Sequence, residues 1–141
     1  MTPVYEDRVM AEKTAHPLVR VESLALIAIG GFAGSNLRYF TGFLLPGMFG
    51  TLTVNALGSF ALGFVLYETL YSGVLAQETR AVVSTGFLSS FTTYSTFALQ
   101  SSQAPPLWLV ANIAANYTLG FTGVLLGRYL AQSVDRRWSN D

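Results

Sequence analysis

Apolar residues fall into four blocks along the chain, each long enough to cross a bilayer. The first runs from about Leu24 to Leu45 and is closed by Pro46-Gly47. The second covers about Thr51 to Tyr71, and the third about Arg80 to Gln103. Pro105-Pro106 then separates a fourth, about Leu107 to Ala131. A hydrocarbon core of about 30 Å takes about 20 helical residues. The pattern therefore predicts an all-α integral membrane protein with four transmembrane helices. Residues 1–22 are polar and mixed in charge, and predict a disordered or surface-lying tail; residues 132–141 predict a second polar tail, leaving 23–131 as the membrane domain. The first tail is unlike a signal peptide, because Glu6, Asp7 and Glu12 interrupt its basic residues and no small-residue cleavage site follows a short apolar core.

Polar positions inside these blocks carry the functional information. Residues 81–127 hold no charged side chain, yet Gly86–Phe97 contains Ser89, Ser90, Thr92, Thr93, Ser95 and Thr96. Polar groups at membrane depth are tolerated only where they face protein or a water-filled path. So dense a cluster of hydroxyls predicts a third helix broken near its middle. A break frees backbone carbonyls, which are hard oxygen ligands for a small cation. Tyr94 and Phe97 stand three apart and share a helix face. Their ring edges are able to solvate an anion; ordinary aromatic packing is the alternative. Asn55 is the one strongly polar side chain deep in the second block, either as interhelical glue or as an uncharged N–H donor to an anion. Arg38 either snorkels to the interface or is a buried cation. Asn112, Asn116 and Tyr117 give the fourth block a polar stripe. Gly30/Gly34, Gly58/Gly63 and Gly120/Gly123/Gly127 thin faces on which helices approach closely.

Composition sharpens this picture. The chain is 51% hydrophobic and 11% charged, with zero net charge, no cysteine and one histidine, His16, placed in the tail. Zero net charge gives no field for nucleic acid or acidic substrates. No Asp, Glu, His, Lys or Cys is expected at membrane depth, which leaves no general base or activated nucleophile, and so no enzyme. The same absence argues against proton-coupled export. Four short spans enclose a path poorly, so an oligomer is expected to cover the polar residues.

Three motifs, in order, then carry a resemblance. They are Gly30-Gly31-Phe32-Ala33-Gly34-Ser35-Asn36-Leu37-Arg38-Tyr39, Gly50 to Gly63 around Asn55, and Ser84 to Phe97. Across residues 24–131 the chain resembles the fluoride channels called Fluc or CrcB. The resemblance implies an antiparallel dimer in the cell membrane, with two fluoride pores and a central structural Na+ at the dimer interface. It implies a fluoride pore at Asn55, Tyr94, Ser95, Thr96, Phe97 and Tyr117. It further implies Na+ ligation by the backbone carbonyls of Ser89 and Thr92, and a structural Arg38. Membrane lipid, fluoride and sodium are then the partners, with no nucleic acid.

Two departures from the family matter. Ser89-Ser90 stands where the family usually has Gly-Gly, which removes freedom at positive φ. Tyr94 replaces the first of two phenylalanines. These departures carry an alternative: a non-conducting or partly conducting subunit of a heterodimeric channel. Charge distribution bears on the same point. Arg8, Lys13, Arg20, Arg80, Arg128, Arg136 and Arg137 share one side of a four-span topology, against Arg38 on the other. The positive-inside rule places that side, with both termini, in the cytoplasm. Such a bias is in tension with an antiparallel homodimer and points to an oppositely oriented paralogue.

Overall fold

The computed structural model describes residues 17–73 and 75–138. Most of the expected N-terminal tail, with His16, and residues 139–141 lie outside the described residues. Helices account for nearly all of the rest. α1 is Pro17–Leu44 and α2 is Met48–Tyr67, which continues through a wider π turn, Glu68–Ser72. α3, Gln77–Arg80, runs on through a π-helical stretch, Ala81–Leu88, into α4, Ser89–Phe91. α5 is Tyr94–Gln103 and α6 is Pro106–Trp138.

Helix reaches into both expected tails. α1 starts at Pro17, a residue pre-set for a helix N-terminus, so residues 17–22 of the expected N-terminal tail are helical. At the other end α6 continues to Trp138, so most of the expected C-terminal tail is helix. Between α1 and α2 the chain turns at Gly47, whose φ of 74° suits glycine. Among the described residues two helical stretches, Met48–Tyr71 and Pro106–Arg136, are long and apolar enough to cross a membrane.

Two seams join the helices. α1 packs along Ala81–Leu88 and α4, while α2 packs along α6. Glycine permits both contacts. A Cβ on Gly30 would sit 2.5 Å from the Val82 carbonyl oxygen, and one on Gly34 would strike the Phe87 backbone. The Gly30/Gly34 pair is thus used within the chain. On the second seam Gly63 abuts the Val124 backbone and Gly127 abuts that of Phe60. Close backbone approach supplies dispersion contact where water-driven burial is weak.

Outside these seams the chain exposes apolar surface. Its buried hydrophobic core is small: Val54, Val65, Leu88, Phe91, Phe97 and Ala131. Phe32, Phe43 and Leu107 are each more than 70% exposed. Apolar faces of this extent need a covering of lipid or protein.

One buried carboxylate amends the sequence expectation. Glu68, near the end of the second block, is only 8% exposed. Its Oε1 accepts from the Leu75 N–H at 2.6 Å, and Arg80 Nε donates to the Leu75 carbonyl at 2.8 Å. Arg80 Nε lies 3.7 Å from Glu68 Oε2. This pair folds back the connection between the second and third blocks, where Gly73 takes φ 64°.

Candidate functional site

The third block is two helices joined by extended residues. α4 ends at Phe91, Thr92 has φ −78° and ψ 161°, Thr93 has φ −149° and ψ 119°, and α5 starts at Tyr94. The cause is a competition for the Thr93 peptide. In a continuous helix the Thr93 N–H would bond the Ser89 carbonyl. Instead it donates to Asn55 Oδ1 at 2.9 Å, and Asn55 Nδ2 donates back to the Thr93 carbonyl at 3.1 Å. The side-chain amide thus pairs with both the N–H and the C=O of one residue, as the facing residue of a neighbouring strand would. Thr93 then starts the next helix, its Oγ1 accepting from the Thr96 N–H at 3.3 Å and donating to Thr96 Oγ1 at 2.9 Å. Thr is a favoured residue for such an N-cap.

Hydroxyls upstream bond back to the helix. Ser84 Oγ donates to the Arg80 carbonyl at 2.6 Å, and Ser89 Oγ donates to the carbonyls of Thr85 and Gly86. Such bonds loosen helical geometry, in keeping with the π-helical Ala81–Leu88. Ser89 itself has φ −65° and ψ −30°, and among the described residues positive φ occurs only at glycine. Serine at 89 and 90 therefore carries no left-handed strain.

Around the interruption lies a cleft of about 470 Å³. Asn55, Ser89, Thr92, Tyr94, Phe97 and Tyr117 all line it, and none of its lining residues is charged. Phe97 is buried, while Tyr94 is 73% exposed. Their ring centroids are 5.9 Å apart and tilted by 52°. Tyr117 meets Phe97 at 82°, edge to face, at 6.3 Å, and stacks on Phe121. A second cleft of about 440 Å³ holds Arg38 and Thr96, with Thr51 and Gln100. Thr93 lines both clefts, so its residue forms the wall between them. Ser95 lies in neither; it is exposed, with its Oγ 3.5 Å from Thr93 Oγ1.

The sequence reading assigns the fourth-span contribution to Tyr117 and leaves Asn112 and Asn116 as a polar stripe. Both asparagines belong to the site. Asn55 Nδ2 also donates to Asn116 Oδ1 at 3.1 Å. Asn116 Nδ2 donates to the Asn112 carbonyl and to Asn112 Oδ1, each at 3.0 Å, and Asn112 Nδ2 donates to Ser101 Oγ at 2.9 Å. Their spacing of one helical turn was the available signal. Gln100, with a buried Oε1 that has no hydrogen-bond partner, was also missed. Among the described residues no three His, Cys, Asp or Glu side chains group to hold a metal.

Residues 25–128 match the family model described as "CrcB-like protein, Camphor Resistance (CrcB)". The chain is 60% identical over 113 residues to Fluoride-specific ion channel FluC 1 of Haloarcula marismortui, covering 80% of this chain and 88% of that one. It is 46% identical to Fluoride-specific ion channel FluC 2 of Halobacterium salinarum, covering 84% and 95%. It is likewise 46% identical to Fluoride-specific ion channel FluC 1 of Natronomonas pharaonis, covering 78% and 94%.

Proposed function

Since the chain belongs to the CrcB family, we propose that it is a fluoride-specific channel which lowers cytoplasmic fluoride by passive export. It is a membrane channel rather than an enzyme. The observation that carries this reading is the uncharged first cleft, where an amide, hydroxyls and aromatic rings converge on an interrupted helix. Fluoride is small and strongly hydrated. Neutral donors and ring edges replace its water without a fixed cation that would hold it too long. α5 starts at the interruption, so its N-terminal end adds partial positive charge there. The driving force is the membrane potential, about 2.3 kcal/mol per charge at 100 mV, or roughly a 50-fold outward gradient for one anion. Hydrogen fluoride crosses membranes neutral and ionises inside, so a passive anion path is enough to protect the cell.

The finer reading is an antiparallel dimer with Na+ at its interface, held by the carbonyls of Ser89 and Thr92. The donor set suits the ion. Asn55 takes the Thr93 N–H that would otherwise bond the Ser89 carbonyl, and Thr92 is extended. Neutral hard oxygens fit a monovalent hard cation. Arg38 in the second cleft acts as a structural cation beside the path. Both termini face the cytoplasm on the charge count. A conducting chain is favoured over a silent partner subunit, because Ser89 has ordinary helical φ and Asn55 and Phe97 share one cleft.

Expression in cells lacking fluoride export tests the function. Growth in millimolar-range fluoride should be restored by this chain and not by Asn55→Asp at equal membrane abundance. Equal sensitivity with and without the chain would overturn the reading.

A further inference from the structure

Asn55 raises a difficulty if it is to bind an anion, because both of its N–H groups already have protein acceptors. The Thr93 N–H can only donate, so it fixes Asn55 Oδ1 toward itself. Both N–H groups then point elsewhere, one to the Thr93 carbonyl and one to Asn116 Oδ1. Asn116 is fixed in turn. Its Nδ2 is committed to the carbonyl and Oδ1 of Asn112, so its Oδ1 is the atom left for Asn55. Asn112 is anchored on Ser101 Oγ, and both are buried, 6% and 5% exposed. Donation therefore runs in one direction, from the Thr93 N–H at the interruption through Asn55 and Asn116 to Asn112 and on to Ser101.

The two bonds held by Asn55 differ in what their loss would cost. The bond to Thr93 is half of a reciprocal pair that maintains the interruption itself. The bond to Asn116 is a single neutral hydrogen bond between two half-buried side chains that both line the first cleft. We propose that Asn116 is a built-in competitor for the anion: its Oδ1 occupies the cleft-facing N–H of Asn55, and an anion takes that N–H by displacing it. This rests on the reading of the first cleft as a fluoride path. A vacant amide donor in a low-dielectric cleft would bind a compact anion tightly and slow its departure. An occupied one makes each arrival an exchange of acceptors, which keeps binding shallow enough for conduction. Asn112 holds Asn116 close, ready to reclaim the N–H when the anion leaves.

The proposal predicts the opposite sign from simple structural damage. Sodium fluoride is titrated into ¹⁵N-labelled protein in lipid nanodiscs, and the side-chain amide resonances are followed. In the wild type, Asn55 and Asn116 should respond with one midpoint. In Asn116→Ala the midpoint at Asn55 should fall about fivefold, the weight of one neutral hydrogen bond. Weaker or unchanged fluoride binding in an assembled Asn116→Ala protein overturns the competitor role. So does a wild-type titration in which Asn55 responds and Asn116 does not, and that arm decides alone if the variant does not assemble. No response of Asn55 to fluoride in either protein overturns the functional reading itself, and the competitor role with it.

Discussion

Asn55 joins structure and proposed chemistry in one side chain. It holds the backbone N–H and C=O of Thr93 by two hydrogen bonds and lines the first cleft. Asn55→Asp keeps the acceptor for the Thr93 N–H but puts a negative charge beside the path. At an effective dielectric of 20, a like charge 4 Å away costs about 4 kcal/mol. Fluoride flux should drop about 1,000-fold while the protein still assembles; normal flux from an assembled variant would remove Asn55 from the pore. Phe97 makes a parallel case. Phe97→Ile keeps apolar bulk and loses the ring edge, a contact of about 1 kcal/mol, so flux should fall about fivefold. Tyr94→Phe should keep or raise flux, as Tyr94 is exposed and phenylalanine keeps its ring beside Phe97. Abolished transport in Tyr94→Phe would instead make its hydroxyl an essential donor. At this scale the sequence was a partial guide. Asn55 stood out as a lone amide in an apolar block, but its partners lie 38 and 61 residues away in the chain. Spacing within one helix says nothing about such contacts. Asn112 and Asn116 were visible as a stripe, and only the packing of α6 on α2 brings it the Asn55 donor.

Helical elements were readable where apolarity alone decides them, and less so where hydrogen bonding does. The four blocks and their Pro/Gly breaks follow from hydropathy. Glu68 was not expected in a buried place, because its fit depends on the Leu75 N–H and on Arg80 across the connection. The π-helical Ala81–Leu88 likewise has no period of its own to read, although Ser84 within it and the adjoining Ser89 bond back to helix carbonyls. Ser89 offers a test of the third block. Its contribution is through backbone position, since its hydroxyl only bonds back to its own helix. Ser89→Ala should leave stability within roughly 0.5 kcal/mol, as exposed substitutions usually do. Ser89→Pro removes a backbone donor and crowds the preceding turn, at a cost of about 3 kcal/mol or more. Thermal unfolding in detergent, followed by size-exclusion chromatography, distinguishes the two; equal losses would mean that the serine hydroxyl is what matters.

For the whole molecule, the exposed apolar faces and the polar clefts make opposite demands. Phe32, Phe43 and Leu107 want lipid, while the clefts around Thr93 need protein or a water path beside them. A second subunit of opposite orientation covering the clefts meets both demands, which is why the antiparallel dimer is proposed. Orientation bears on which partner supplies that subunit. In the proposed four-span topology Arg20, Arg80, Arg128, Arg136 and Arg137 share one side even when the distant Arg8 and Lys13 are set aside, against Arg38 opposite. Reporter fusions at the C-terminus should read cytoplasmic only. Equal populations facing both sides would instead support a dual-topology homodimer. The central claim is that this chain conducts fluoride. Its most direct test is fluoride release, read by a fluoride-selective electrode, from liposomes holding the purified chain alone. On addition of a potassium ionophore, fluoride should leave far faster than from protein-free liposomes, and chloride should stay. Fluoride release no faster than from protein-free liposomes, or chloride release at the same rate as fluoride, would contradict the account.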